Sequence, residues 1–169
     1  LRIADIERAR KLNRDLQHFE RMHRLTRMAA YPNRIYLELT DQCNLRCPMC
    51  TQVILAGERT HLPLETIDKV RTALRYMDLI SFVGCGETFV HPQFREVMQA
   101  IPSRTARTQI ITNGILLTED TSRFLVEQQL NELWISVDAT DAATFWEIRR
   151  SRQFEPILEN IRVLQRVKR

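Results

Sequence analysis

Glycine, proline and long apolar runs are scarce in this sequence. Its 169 residues include only 4 glycines and 6 prolines, and 44% of them are hydrophobic, which predicts one packed globular unit rather than a disordered chain. No run of about eighteen uncharged apolar residues occurs, and residues 1–28 carry too many charges for a signal peptide. We therefore expect a soluble, cytoplasmic protein with no membrane span.

Cysteine is also scarce, and its placement does not suit a disulfide scaffold. Only 4 cysteines are present, and three of them, Cys43, Cys47 and Cys50, fall on one short stretch. A chain of this length buries a hydrophobic core without disulfide staples, so such a cluster favours a reducing compartment. The sequence therefore indicates thiolates that bind a metal.

The charge of the chain does not favour nucleic acid as a partner. The net charge is +4, yet the basic residues concentrate at the two ends and are not interleaved with aromatic side chains. We predict that residues 1–30 form a basic amphipathic helical extension whose charged face is solvated. Its apolar residues recur every three or four places and are expected to form one buried stripe: Ile6, Ala9, Leu12, Leu16, Phe19, Met22 and Leu25.

Strand and helix patterns alternate through residues 31–169. Strands are predicted at residues 34–40, 79–83, 108–112 and 133–137, with helices between them and a last helical stretch broken near Pro156. This alternation predicts an α/β fold with about four parallel βα units joined by right-handed crossovers. In such folds the chemistry gathers at the carboxyl ends of the strands. The unusual motifs of this sequence all fall at those ends.

The three clustered cysteines follow the first predicted strand. Three thiolates on one loop suit an iron-sulfur cluster of four irons, and one iron is then left open for a ligand. A zinc site is the alternative, with His61 or His91 as the fourth ligand, because closed zinc sites use the same residue types. No second pair of cysteines, which such zinc sites usually have, is present.

The segment LELTDQCNLRCPMC resembles the Cys-x3-Cys-x2-Cys signature of the radical SAM superfamily, with Met49 where a large residue lies near the adenine. The resemblance implies a partial (β/α)6 barrel in which Cys43, Cys47 and Cys50 hold a catalytic [4Fe-4S] cluster. It also implies reductive cleavage of S-adenosylmethionine to a 5'-deoxyadenosyl radical, which abstracts hydrogen from a peptide or small-metabolite substrate. The protein would then carry out this chemistry as a radical SAM enzyme.

The second and third strand ends carry motifs with the same resemblance. Gly84, Gly86 and Glu87 resemble the motif that binds the methionine amino group of S-adenosylmethionine, and Cys85 between them is not expected to bind the cluster. Glycines allow close approach of the backbone, and a carboxylate can pair with an ammonium. Thr112 and Asn113 resemble a strand end that lies near the ribose and methionine.

The fourth strand end resembles a Ser-x-Asp motif of the family, followed by an arginine on the next helix. By that resemblance Ser136 and Arg149 bind the carboxylate of S-adenosylmethionine, which suits a hydroxyl and a guanidinium. Asp138 contacts a bound molecule or caps the helix that begins near Asp141. The resemblance covers roughly residues 35–149.

The resemblance also implies partners and a larger assembly. A flavodoxin or ferredoxin would supply electrons, and the basic N-terminal helix could dock this acidic partner. The motif style is similar to members with a C-terminal domain for auxiliary clusters, but no such cysteines follow Cys85. With four strands, we expect residues 31–169 to be the N-terminal portion of the core, completed by a missing C-terminal half or another chain. Two alternatives stay open, a zinc-stabilised non-catalytic binding module and a truncated S-adenosylmethionine-binding remnant without turnover.

Overall fold

A computed structural model describes residues 3–54, 57–101 and 106–169. Four strands form one fully parallel sheet in the order β1-β2-β3-β4, which confirms the predicted α/β architecture. The strands span β1 (Arg34–Leu37), β2 (Leu79–Phe82), β3 (Arg107–Thr112) and β4 (Glu132–Ile135), so β3 begins one residue earlier than predicted and the other three are shorter than predicted. Each strand therefore pairs with its neighbour in sequence.

Six α-helices accompany the sheet in the described part of the chain. They are α1 (Ile3–Met22), α2 (Leu64–Leu74), α3 (Phe94–Ala100), α4 (Glu119–Glu127), α5 (Ala142–Arg149) and α6 (Phe154–Val167). The predicted break near Pro156 is confirmed, and it lies at residues 150–153, between α5 and α6. Arg150 ends α5 in the left-handed conformation, with φ of 53°, and Pro156 lies in the first turn of α6. Proline is tolerated there because the first helical N–H groups have no intrahelical partner.

The hydrophobic core lies between one face of the sheet and helices α2, α3 and α4. Alternate strand residues point to this face because side chains alternate along a strand. The core members without any exposed surface are Ile67, Leu74, Ile80, Phe82, Val97, Ile110 and Leu117. A second apolar cluster forms where α5 and α6 meet, around Phe145, Phe154 and Ile157. These helices therefore pack beside the end of β4.

The other face of the sheet carries a row of polar side chains in register. Ser81 Oγ donates to Gln109 Oε1 over 2.7 Å, and Gln109 Nε2 donates to Glu132 Oε2 over 2.7 Å. On the same face Tyr36 and Trp134 remain 63% and 57% exposed. Parallel sheets are normally covered on both faces. In the described residues, by contrast, this face is uncovered at the two outer strands, β1 and β4.

Helix α1 is held by polar contacts, which contradicts the predicted buried apolar stripe. Asn13 exchanges two hydrogen bonds with the backbone of Tyr31, both 2.8 Å, and Glu20 accepts from the backbone N–H of Ala29 over 2.5 Å. Asn13 and Glu20 are buried, whereas the stripe is exposed at Leu12, Leu16, Phe19 and Met22. The apolar residues of α1 do recur with the period of a helix, but none of them belongs to the described core clusters. None of the described helices is long and apolar enough to cross a membrane.

We predict that Gly114→Ala destabilises the fold by about 1–3 kcal/mol, because overpacking adds to backbone strain. Gly114 has a φ of 81°, and an added Cβ would lie 2.9 Å from Ile135 Cγ2 and 3.1 Å from Ile157 Cγ2. The matched control is Gly57→Ala, since Gly57 also has a positive φ of 119° but open space around its Cβ position. Urea denaturation should show the larger loss for Gly114→Ala, and equal losses would contradict the packing argument.

Candidate functional site

The cysteine loop leaves the end of β1 and is fastened at its base. Thr40 forms an isolated antiparallel bridge with His61, and its Oγ1 donates to the carbonyl of Thr60 over 3.0 Å. Asp41 Oδ1 accepts from the backbone N–H of Thr60 over 2.6 Å, and Gln52 Nε2 donates to the carbonyl of Asp41 over 2.8 Å. The loop is therefore tied on both sides to the segment that precedes α2.

Gly86 lets the end of β2 press against this loop. A Cβ at Gly86 would lie only 2.0 Å from the carbonyl oxygen of Thr40 and 2.7 Å from that of Gln42, so no other residue fits without moving the backbone. The next residue, Glu87, donates its backbone N–H to the carbonyl of Gln42 over 2.8 Å. The glycine therefore serves a close approach between two strand ends, whatever else it contacts.

The Glu87 carboxylate joins β3 to this arrangement. Its Oε1 accepts from the Thr112 hydroxyl and its Oε2 from the backbone N–H of Asn113, each over 2.7 Å. Thr112 Oγ1 in turn accepts from the backbone N–H of Gly114 over 3.0 Å. Burial raises the pKa of Glu87, while the hydrogen bonds from Asn113, Thr112 and Phe89 oppose that rise. The carboxylate is only 3% exposed, so its protein partners are its main solvation.

Asn113 carries the network from β3 to the cysteines. Its Nδ2 donates to Asn44 Oδ1 over 2.7 Å and lies 3.8 Å from Cys43 Sγ. Burial raises the pKa of the Cys43 thiol, and the negative charges of Glu87 and Cys47 raise it further. The Leu45 N–H, 3.4 Å from the sulfur, opposes the shift. A thiolate at Cys43 therefore gains from any positive charge brought beside it.

Arg149 brings a positive charge from α5 to the neighbouring cysteine, Cys47. Its Nη1 lies 3.7 Å from Cys47 Sγ, and its Nη2 forms an ion pair with Asp138. Burial by itself lowers the pKa of Arg149, but Cys47 and Asp138 together outweigh burial and hold that pKa above its usual value. The predicted capping role of Asp138 is wrong, because Asp141 itself caps α5 by accepting from Ala143 and Thr144. Asp138 lies in the left-handed region, with φ of 58°, and turns its carboxylate to Arg149.

One cavity brings together every predicted site residue except Met49 and Asp138. The predicted residues that line it are Cys43, Cys47, Cys50, Gly84, Gly86, Glu87, Thr112, Asn113, Ser136 and Arg149. Met49 points away and is 53% exposed, while Asp138 contributes through Arg149. Cys85 also lines the cavity, and its sulfur lies 3.7 Å from Thr51 Oγ1. Four strand ends thus converge on the cysteine loop.

Sequence reasoning missed two residues that support this cavity. Glu38 accepts from the backbone N–H of Cys85, and its side chain packs where a Cβ at Gly84 would stand. Its signal was the alternation in LELT, which places Glu38 on the face opposite Leu37 and Leu39. Asn44 holds the amide of Asn113, and no sequence pattern distinguishes it from an ordinary loop residue. Both are therefore positioning residues of the site.

The histidines considered for a zinc site do not line the cavity that the three cysteines line. His91 is buried, its Nδ1 accepts from the backbone N–H of Gln93 over 3.1 Å, and its Nε2 lies 3.0 Å from the carbonyl oxygen of Leu62. His61 Nε2 lies 3.1 Å from Gln42 Nε2. Among the residues that the structure describes, no group of three or more His, Cys, Asp or Glu side chains surrounds a single point as one metal ion requires. A cluster differs, since each cysteine binds a different iron.

Comparison with known proteins places most of the chain in one family. Residues 37–169 match the family model described as the Radical SAM superfamily. A tungsten-containing aldehyde ferredoxin oxidoreductase cofactor-modifying protein of Pyrococcus furiosus is 33% identical over 112 residues, which are 64% of this chain and 32% of that protein. A GTP 3',8-cyclase of Synechocystis is 30% identical over 138 residues, which are 79% of this chain and 42% of that protein. The chain thus spans less than half the length of these curated relatives.

Solved structures share the fold at lower identity. Streptococcus suis SuiB bound to S-adenosylmethionine matches 91% of this chain and 35% of its own, with a TM-score of 0.72 and 18% identity. Methylornithine synthase matches 96% of this chain and 48% of its own, with a TM-score of 0.63 and 14% identity. These likenesses confirm the architecture of a partial radical SAM barrel.

We predict that Thr112→Val destabilises the chain by roughly 1–3 kcal/mol, because it leaves one buried oxygen of Glu87 without its hydroxyl donor. The side chain keeps its volume, so packing is nearly unchanged. Thr112→Ser retains the hydroxyl and is the matched control. Urea denaturation of the metal-free chain measures both, and a valine variant as stable as the serine variant would show that the network does not hold the strand ends.

Proposed function

Because this chain belongs to the radical SAM superfamily, we propose that Cys43, Cys47 and Cys50 hold its [4Fe-4S] cluster and that the adjoining cavity receives the methionine end of S-adenosylmethionine. Members of this family are enzymes that use these two cofactors. The observation that carries the residue assignment is the single cavity onto which the cysteine loop and the ends of β2, β3 and β4 converge. The parallel strand ends of such folds are where ligands bind.

The residues present fit the two cofactors. Three thiolates on one loop leave one iron of a four-iron cluster without a protein ligand, and that iron is open to an amino acid. Arg149 Nε is buried, and no partner for it occurs among the described residues, so the guanidinium retains a donor for a further acceptor. When bound, the reduced cluster supplies the electron that cleaves S-adenosylmethionine and yields the 5'-deoxyadenosyl radical.

The chain's own groups bind and orient the cosubstrate in this proposal. Ser136 and Arg149 take its carboxylate, as a hydroxyl and a guanidinium suit that group, and Asp138 orients Arg149. The ammonium lies at the backbone of Gly84 and Gly86. The oxygens of Glu87 already accept bonds from Thr112 and Asn113, so Glu87 acts mainly by holding those strand ends in place.

We propose that this chemistry abstracts hydrogen from a peptide or small metabolite. The name of the GTP 3',8-cyclases, 30% identical in the Synechocystis example, gives a nucleotide as the molecule acted on, which is one small-metabolite class. In this chain the open sheet face supports substrate binding, because Tyr36 and Trp134 expose aromatic surface there. A one-electron donor such as flavodoxin or ferredoxin would serve the cluster.

The proposal includes the organisation of the chain and its location. Residues 31–169 would be the radical SAM core, or its N-terminal portion, and residues 1–30 an extension, in keeping with a family match that begins at residue 37. The polar attachment of α1, away from the sheet's apolar core, supports this division. The free thiols of all 4 cysteines suit the reducing cytoplasm.

Anaerobic reconstitution tests the proposal. We expect about four irons per chain and 5'-deoxyadenosine formation when dithionite and S-adenosylmethionine are added. Cys43→Ala should lose both, because it removes one of only three ligands, whereas Cys85→Ala should retain the iron. Loss of the cluster in Cys85→Ala with retention in Cys43→Ala would refute the ligand assignment. A full cluster with no 5'-deoxyadenosine would identify a remnant without turnover, and stoichiometric zinc would identify a zinc-stabilised module.

We predict that Arg149→Ala weakens S-adenosylmethionine binding by roughly 1.5–3 kcal/mol, about 10- to 150-fold, because it removes a charge-assisted pair. Calorimetry on the reconstituted chain measures the affinity, and the iron content should remain that of the wild type. Arg162→Ala is the control, since Arg162 is an exposed residue of α6 whose ion pair among the described residues is with Glu159. Equal affinities in the two variants would remove Arg149 from the carboxylate site.

A further inference from the structure

The cysteine loop lines the cavity described above on one side and a second, separate depression on its other side. A surface depression of about 560 Å³ lies there, and Cys43, Leu45, Arg46 and Arg150 contribute to its lining. Cys43 and Leu45 also line the cavity of the proposed cofactor site. Cys43 and Leu45 therefore lie between the surface depression and the site proposed for the cluster.

The rim of this depression is strongly basic. Arg46 and Arg150 line the depression, and Arg152 lies between two further lining residues, Ser151 and Gln153, in the sequence. All three arginines are exposed, and in the part of the chain that the structure describes none of them pairs with an acidic side chain. The guanidinium groups of Arg150 and Arg152 lie 5.9 and 5.6 Å from the ring centre of Trp146, which is 42% exposed. Arginine and tryptophan are the residue types that dominate binding energy at protein interfaces. The combination is a basic, aromatic surface beside Cys43.

The backbone conformation of Arg150 shows how its side chain can be removed without harm to the fold. Arg150 follows α5 with a φ of 53°, in the left-handed conformation that glycine or asparagine adopts most easily at a helix end. An arginine there is strained, because the left-handed region is unfavourable for a residue that has a Cβ. Arg24 and Gln129 share this conformation after α1 and α4, so the strain does not single out Arg150. It does make Arg150→Gly a variant that removes the guanidinium while relieving the backbone.

The basic surface of α1 lies at the amino end of the sheet, opposite the end that carries the cysteines. Helix α1, where the sequence suggested that an electron donor could dock, contacts the segment before β2 through Arg14 and Asp78, 2.8 Å apart. Asp78 precedes the amino end of β2, and Cys85 follows its carboxyl end. Asp78 and Cys85 are seven residues apart in nearly extended chain, so roughly 20 Å separates them along the strand direction. The basic residues of α1 are therefore remote from the cysteines.

We propose that the surface formed by Arg46, Trp146, Arg150 and Arg152 docks an acidic one-electron carrier protein and that electrons enter beside Cys43. This inference rests on the proposed function. In the transfer, a reduced flavodoxin, as flavin hydroquinone, gives one electron to the cluster and becomes the semiquinone, so one centre is oxidised as the other is reduced. The arginines steer and hold the carrier by charge complementarity, and they take no part in cleaving the cosubstrate.

The test compares two charge-reversal variants of equal net charge. Arg46→Glu with Arg150→Glu alters the proposed surface, and Arg8→Glu with Arg21→Glu alters exposed positions of α1. Binding of an oxidised bacterial flavodoxin to the metal-free chain is measured by calorimetry at low and high salt. Stopped-flow flavin absorbance then follows electron transfer from reduced flavodoxin to the reconstituted chain.

We expect the surface variant to weaken binding and slow transfer by about tenfold or more at low salt, with the difference shrinking as salt screens the charges. The α1 variant should behave nearly as the wild type. Arg150→Gly guards against misfolding, because it should preserve or raise the melting temperature while still weakening flavodoxin binding. Equal effects in the two double variants, or wild-type binding by the surface variant, would overturn the proposal.

Dithionite separates this proposal from the proposed function. A small reductant does not need the docking surface, so the surface variant should form 5'-deoxyadenosine with dithionite at the wild-type rate. A surface variant that loses the dithionite-driven reaction would place the arginines in the chemistry and overturn the docking assignment. A wild-type chain that forms no 5'-deoxyadenosine with dithionite would instead refute the proposed function, whereas flavodoxin binding would still report on the surface.

Discussion

The buried carboxylate of Glu87 is the constraint on which the carboxyl edge of the sheet depends. It is removed from water, which raises its pKa, and three donors from Asn113, Thr112 and Phe89 replace its hydration. Two of these donors belong to the end of β3, while the backbone N–H of Glu87 binds the cysteine loop at Gln42. A single residue therefore fixes the spacing of β2, β3 and the loop. Because a buried carboxylate without donors is costly, these three segments are held together cooperatively.

The second requirement of the site is compensation of negative charge. Three cysteines and Glu87 share one cavity, and the raised pKa of Cys43 reflects first its burial and then the negative charges of Glu87 and Cys47. Arg149 is the cation that the described residues bring into this cavity, and its position between Cys47 and Asp138 keeps it charged. Asp138 uses a left-handed backbone to reach it. The residues after β4 thus supply the positive charge of the cavity and its ion pair. The residues after β2 and β3 supply the hydrogen bonds that fix its shape.

Much of this arrangement could be predicted because it is encoded locally. The four strands appeared as short apolar runs, and the motif at each strand end was visible before any contact was known. The prediction failed where burial depends on distant partners. The apolar stripe of α1 had the right period but is exposed, while Asn13 and Glu20 are buried through contacts with residues 29–31. Glu38 and Asn44 were missed because their roles come from tertiary neighbours, Cys85 and Asn113, that sequence spacing does not reveal.

The anchoring of the cysteine loop explains how its two sides can serve different molecules. Asp41, Gln52 and Thr60 fix the base of the loop, and Asn113 through Asn44 fixes its first cysteine. A loop held in this way does not need to open for a cosubstrate to reach one side of Cys43 or for a carrier protein to reach the other. The electron carrier and the cosubstrate would then bind on different sides of the loop, and Cys43 would be the cysteine that both sides share. Such a division would depend on a rigid loop, because Cys43 and Leu45, which line both the cavity and the surface depression, would have to stay in place while an electron passes to the cluster.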